Sequence, residues 1–190
     1  MTRILIVDPH PAIRAGLTML LRTEPGLIPI GSAGGDDAAA LCERLRPEIV
    51  LLEPHLSEGD GLALCRRLRA LPRAPRVILY SADDDPALVL LSRVAGADGL
   101  VDKAADPTVL FEAVRVVGRG GTALPRVSAE QLDAAAHRVE AEDLALLAML
   151  VDRTPAADVA DTLRLDRRRL SRRIERLLGR LRARPRIAAS

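Results

Sequence analysis

Ile49-Val50-Leu51-Leu52 is an unbroken apolar run set between Glu48 and Glu53. A strand that is apolar at every position must be buried on both faces. That is the situation of an inner strand in a parallel sheet covered by helices. Comparable runs lie at 3–8, ending in Asp8, at 76–80, followed by Ser81, and at 99–101, followed by Asp102 and Lys103. A weaker run lies at 27–31. Helical patterns separate them. The first, 11–23, carries Ile13, Leu17, Leu20 and Leu21 on one face, and the second begins near a capping Asp36 and ends at about Arg46, ahead of Pro47. A third follows Gly59 and Gly61 and ends near Leu71, a fourth spans 86–95, and a fifth is capped by Asp106, opens on Pro107 and ends at Gly118. Five strand–helix units over 1–118 predict a doubly wound α/β domain with five parallel strands and right-handed crossovers.

In an open sheet of this kind ligands bind beyond the carboxyl ends of the strands. Asp8, Glu53, Ser81 and Lys103 are therefore expected to converge. Lys103 is the one lysine among 28 basic residues. The arginine bias itself reads as coding composition, but a single exception at a strand end suggests a place that needs a compact, mobile point charge and not a rigid fork.

Little else in the bulk composition points to chemistry. No apolar run approaches the ~18 residues needed to span a bilayer, and no signal-peptide pattern precedes the first strand, so a cytoplasmic chain is expected. Cys42 and Cys65 fall within helical patterns without metal-ligand neighbours and read as core thiols. His10, His55 and His137 are scattered, so no zinc site and no cofactor are expected. Asp60 and the run Asp83-Asp84-Asp85 read as solvated loop residues. Phosphate loops, dinucleotide turns and nucleophile–base arrangements are missing, which argues against an enzyme.

Charge is unevenly distributed. Residues 1–122 hold 14 basic and 16 acidic side chains, whereas 162–190 hold 11 basic and 2 acidic. A near-neutral first part and a strongly basic end suggest a sensor joined to a nucleic-acid binder. Residues 119–138 read as a connector containing Gly120, Gly121 and Pro125, partly helical near its end. From 139 to 184 the pattern is purely helical: an apolar helix at 143–151, a short one after Thr154-Pro155, and a longer one opened by Leu165-Asp166. In the last, Leu170, Ile174, Leu177, Leu178 and Leu181 form one stripe and arginines fill the other face. A short helix, a tight turn and a longer basic helix describe a helix-turn-helix. Residues 185–190 are a tail, expected to be disordered.

Val7-Asp8-Pro9-His10-Pro11, Glu53 with Gly59-Asp60-Gly61-Leu62, Ser81-Ala82, Gly96-Ala97-Asp98-Gly99 and Lys103 together resemble the receiver domain of two-component response regulators. Arg169-Leu170-Ser171-Arg172-Arg173 is similar to the recognition-helix stretch of LuxR-type DNA-binding domains, and the domain order is that of the NarL/FixJ class. The resemblance implies a flavodoxin-like receiver followed by an all-α effector that binds double-stranded DNA as a homodimer. It implies that Ser171, Arg172 and Glu175 project toward base edges. Arg167, Arg168, Arg169, Arg173 and Arg176 would then belong to the same DNA-binding face, mostly on phosphates. Arg153 stands where the family usually has glycine after the first effector helix.

The receiver departs from its family at three places. Pro9 replaces an acid that contacts magnesium, Glu53 occupies the position of the phosphate-accepting aspartate, and Leu100 replaces an aromatic switch residue. An in-line attack tolerates little displacement, and about 1 Å can cost roughly a hundredfold. Losing a metal ligand also removes charge neutralisation. The sequence therefore predicts a receiver independent of phosphorylation, with no metal and with Glu53 reaching Lys103 and Ser81. Two alternatives stay open: a conventional phosphorylated regulator, and an adaptor that pairs with another regulator. A sensor kinase or small ligand as input also stays open.

Overall fold

The computed structural model describes residues 1–57 and 59–182. In chain order it contains β1 (Thr2–Val7), α1 (Pro11–Arg22), β2 (Leu27–Ala33), α2 (Ala38–Leu45), β3 (Ile49–Leu52), α3 (Gly61–Arg69), β4 (Arg76–Ser81), α4 (Ala87–Ala95), β5 (Gly99–Asp102), α5 (Pro107–Gly118), α6 (Ala129–Ala136), a 3-10 turn (Ala141–Asp143), α7 (Leu144–Val151), α8 (Ala156–Thr162) and α9 (Arg167–Arg182). No described helix is long and apolar enough to cross a membrane. The chain divides into two compact units. One holds Met1–Asp84 and Gly96–Pro125, and the other holds Asp85–Ala95 with the described chain from Arg126 onward.

The first unit is a five-stranded sheet in the order β2-β1-β3-β4-β5, with every pairing parallel. All four residues of β3 are buried, as an inner strand requires. On one side of the sheet Ile4, Ile6, Ile49, Leu51 and Ile78 pack with Leu17 and Leu21 of α1 and with Leu110, Phe111, Val114 and Val117 of α5. Each such fully buried side chain contributes about 1.5–3 kcal/mol before entropy is counted. β2 extends two residues beyond the expected run and lies at the sheet edge, where Pro29 is tolerated because its missing donor faces outward. Asp37, one residue later than expected, precedes α2, because a turn through Gly35 delays the helix.

Gly61 fixes the geometry behind the third strand. A Cβ there would lie 2.4 Å from the carbonyl oxygen of Glu53 and 2.6 Å from Cα of Pro54. The start of α3 therefore presses directly on the Glu53 backbone. Asp60 and Asp85, expected as solvated loop acids, serve as helix caps: Asp60 accepts the Leu62 N–H and Asp85 the Ala87 N–H, both at 2.9 Å.

The second unit is all-helical. Helix α4 lies between β4 and β5 in sequence, yet it packs against α6, α7 and α9. Its buried residues Leu88, Leu90, Leu91, Ser92, Val94 and Ala95 cover more than half of its circumference, and none of its residues is exposed, the pattern of an interior helix. Arg93 donates to the Val151 carbonyl at 3.1 Å and Gln131 donates to the Pro86 carbonyl at 2.7 Å. Ser128 and Gln131 form a capping box that starts α6. α8, the turn 163–166 and α9 make the helix-turn-helix, with Val159, Leu170, Ile174, Leu177, Leu178 and Leu181 buried. Arg153 and Arg164 end α7 and α8 at φ 60° and 52°. These are left-handed positions that cost a non-glycine residue about 1 kcal/mol.

One carboxylate ties α9 to the turn before α7. Asp143 is 3% exposed. Its oxygens accept from Arg173 Nε at 2.6 Å and Arg180 Nη1 at 3.0 Å. Arg180 also pairs with Glu140, and Arg173 donates to the Glu142 carbonyl. Asp143→Ala leaves the partly buried Arg173 without its anion and is expected to destabilise this unit by about 3 kcal/mol, read as a lowered midpoint in denaturant. A second prediction concerns acid. Asp166 accepts the Arg169 N–H at 2.8 Å, and this hydrogen bond holds its carboxyl below the ordinary aspartate range. The cap's contribution is therefore complete above that range and is lost as pH falls through the lowered value. Amide exchange at Arg169 should accelerate, relative to the middle of α9, only below about pH 4.

Candidate functional site

The parallel sheet brings four side chains to one edge because β1, β3, β4 and β5 all end there. Asp8 follows β1, Glu53 follows β3, Ser81 closes β4 and Lys103 follows β5. Asp8 and Glu53 are 2% and 7% exposed. Lys103 Nζ lies 2.5 Å from Asp8 Oδ2 and 2.5 Å from Glu53 Oε2. Ser81 Oγ donates to Glu53 Oε1 at 3.4 Å. The extra methylene of glutamate thus carries its carboxylate to both groups that the sequence named for it.

Burial alone would pull the Lys103 ammonium down. Its hydrogen bonds to Asp8 and Glu53, and their charges, outweigh that and hold it above the ordinary lysine range. The contribution from ionisation of Lys103 is therefore present below the ordinary lysine range and is lost as pH rises through the raised value. Around neutrality the ammonium does not titrate. The same ammonium lies 5.8 Å from the centre of the Tyr80 ring. Burial raises the Tyr80 phenol, against the opposing effect of Lys103.

A divalent cation does not fit this site as built. Pro9 offers no side-chain oxygen. The position between the two remaining carboxylates is filled by an ammonium already in contact with one oxygen of each.

Sequence spacing does not reveal two further residues of the site. His10 and His55 lie far apart in the chain, but both stand at the mouth of the pocket. The His10 backbone N–H donates to Asp8 Oδ1 at 2.8 Å, and its ring Nδ1 lies 3.2 Å from the same oxygen. The His55 N–H donates to Glu53 Oε1 at 2.9 Å, and its Nδ1 lies 3.5 Å from that oxygen. Its Nε2 lies 3.5 Å from Asp83 Oδ2. The signal was present as a repeat: Asp8-Pro9-His10 and Glu53-Pro54-His55 are the same acid-Pro-His turn at the ends of two neighbouring strands. The thiols contribute nothing here. Cys42 is buried, and burial pushes it up to about 11.

The basic face of α9 divides in two. Arg167, Arg168, Arg169, Arg172, Glu175 and Arg176 are exposed. Arg169, Arg172, Arg173, Glu175 and Arg176, with Glu142 and Leu165, line an open groove of about 730 Å³. Ser171 Oγ donates to Glu175 Oε1 at 3.3 Å, so these two form a local pair. Arg173, placed by the sequence reading on the DNA face, has its guanidinium turned to the buried Asp143 and is committed to the fold.

Comparison with known proteins agrees with this architecture. The family model for the response regulator receiver domain matches residues 4–115. The DNA-binding transcriptional activator DevR/DosR of Mycobacterium tuberculosis is 32% identical over 193 residues, covering 95% of this chain and 88% of that protein. The nitrate/nitrite response regulator NarP of Escherichia coli is 34% identical over 119 residues, covering 62% of this chain but only 55% of NarP. Among solved structures, a LuxR-family two-component response regulator from Aurantimonas sp. SI85-9A1 superposes with a TM-score of 0.63 at 28% identity, covering 72% of this chain and 99% of that one. The chain belongs to the response regulators, in the NarL/FixJ type.

Proposed function

We propose that this chain is a DNA-binding transcriptional regulator whose receiver works without phosphoryl transfer, and that it binds DNA as a homodimer through α9. The observation that carries the first half is the ion cluster. Both oxygens of Glu53 are committed to donors, one to Lys103 and the other to Ser81 and the His55 N–H. Such a carboxylate is a poor nucleophile, and Pro9 removes a metal ligand that phosphoryl transfer would use. The second half is supported by a basic helix that follows a tight turn and keeps four arginines of its first two turns in solvent. The DNA-binding activity in the name of one relative, DevR/DosR, points the same way.

Two measurements test this reading. Incubation with an acyl-phosphate donor and magnesium should leave the intact mass unchanged. The untreated protein should bind selected genomic fragments, and Glu53→Ala should change dimerisation or DNA affinity by about 5- to 100-fold, the range of a typical coupling between sites. Gain of one phosphate with tighter binding would instead restore a conventional regulator. The arginines of α9 should separate by role. Arg172→Ala should cost about 1–3 kcal/mol and relax base preference at one position. Arg168→Ala should weaken binding evenly across sequences and reduce the salt slope by about 1. Arg173→Ala should act mainly on stability, because its partner is Asp143.

A further inference from the structure

We propose that α4 is a positioning helix of the DNA-reading unit: the chain between β4 and β5 supplies it, and α9 keeps the direction that base contacts need only with α4 in place. This rests on α9 as the DNA-binding helix, as proposed above. The chain passes between the two units three times, at 84–85, 95–96 and 125–126. A module hung on one linker would pass once. Here the second unit takes in a segment that precedes β5, and that segment is α4 with its capping Asp85.

Both ends of α4 are fastened to this unit. At its start the Pro86 carbonyl accepts from Gln131 Nε2 at 2.7 Å, while Gln131 Oε1 accepts the Ser128 N–H at 2.8 Å in the capping box of α6. Near its end Arg93, the one charged residue of the helix, donates from Nη1 to the Val151 carbonyl at 3.1 Å. Val151 closes α7, and the last carbonyls of a helix lack a donor within it. A cation there also suits the negative end of the helix dipole. Between these ends α4 packs against α7 and α9.

The core of the unit depends on this helix. Among the described residues, ten buried apolar side chains lie between Ala135 and Leu181, and α4 adds Leu88, Leu90, Leu91, Val94 and Ala95, a third of the total. A unit of about 60 residues is marginal even with a full core. The stretch from Arg126 onward therefore has no complete core of its own to carry away from the receiver sequence. Arg168, Arg169, Arg172 and Arg176 stay in solvent although α4 packs on the same helix. So α4 supports α9 and does not mask its basic face. The Asp143 ion pairs tie α9 to the turn before α7, and α4 ties it to a further helix. Base contacts tolerate an error of roughly 10–20° in the direction of the group that makes them.

The test uses the full chain and has two arms. In the first, native-state amide exchange is compared between the wild type and Asp143→Ala, which loosens the second unit. Exchange in α4 should accelerate by the same factor as in α9, while β1 and β3 keep their wild-type rates. Exchange in α4 that follows β1 and β3 instead overturns the assignment of α4 to this unit. In the second arm, affinity for a selected genomic fragment and for random DNA is measured at one salt concentration. Arg93→Met and Leu90→Ala should each lower affinity for the selected fragment at least ~5-fold. Random-DNA affinity and the salt slope should stay as in the wild type, because phosphate contacts need no exact direction. Arg93→Lys, which keeps a cationic donor, should recover most of the loss. A variant that merely unfolds loses both kinds of binding alike, and that outcome, or no loss in either, overturns the positioning role. Wild-type protein that binds no fragment selectively overturns the DNA reading, and the positioning role with it, even where exchange joins α4 to α9.

Discussion

The ammonium of Lys103 makes the rest of the receiver edge possible. Two carboxylates cannot both stay ionised side by side in a buried site without a cation between them. Lys103 supplies that cation at 2.5 Å from each. The demand is for a small charge on a flexible stem that reaches two oxygens from below, and a planar guanidinium presents a wider fork. This gives a physical reason for one lysine in a chain that otherwise uses arginine. The cluster also fixes β1, β3 and β5 relative to one another at their ends. A buried pair of this kind is weak evidence of net stabilisation, since desolvation offsets much of the attraction. Its firmer role is to specify where the strand ends and their turns sit.

Arginine does two different jobs in the C-terminal unit. Arg173 and Arg180 lie seven residues apart and converge on the same buried acid, Asp143. They lock the roll of α9 about its axis. Arg168, Arg169, Arg172 and Arg176 stay in solvent. Locking the helix is what gives the exposed set a defined direction. A helix held only by its leucine stripe would be free to rotate by the width of a side chain, and base-edge contacts tolerate less than that. The Asp166 cap adds a fixed start to the same helix.

The order of the elements was legible because burial on both faces leaves a plain mark: β1, β3 and β4 are runs without alternation, and each emerged as a parallel strand. The capping signals at Asp106 and Asp166 were legible for the same local reason. The convergence of Asp8, Glu53, Ser81 and Lys103 followed from topology, since parallel strands end at one edge. What escaped depended on direction in space. Arg173 looks like its neighbours in a charge run, and only the position of Asp143, thirty residues earlier, shows that it points inward. The histidines are far apart along the chain, but β1 and β3 are adjacent and carry them to one rim. The packing of α4 with α7 and α9 had no periodic signature beyond an all-round apolar helix.

Glu53 is often the kind of residue read as a permanent stand-in for a phosphorylated aspartate, but its surroundings argue against that equivalence. A phosphate brings roughly two charges and three acceptor oxygens to this edge. Glu53 brings one charge, and Lys103 already matches it at contact distance. Its second oxygen is taken by Ser81 and by its own turn. The carboxylate therefore satisfies donors that are present in any case, and it shares the one ammonium with Asp8. A fixed charge of this kind sets one state and cannot by itself report a signal.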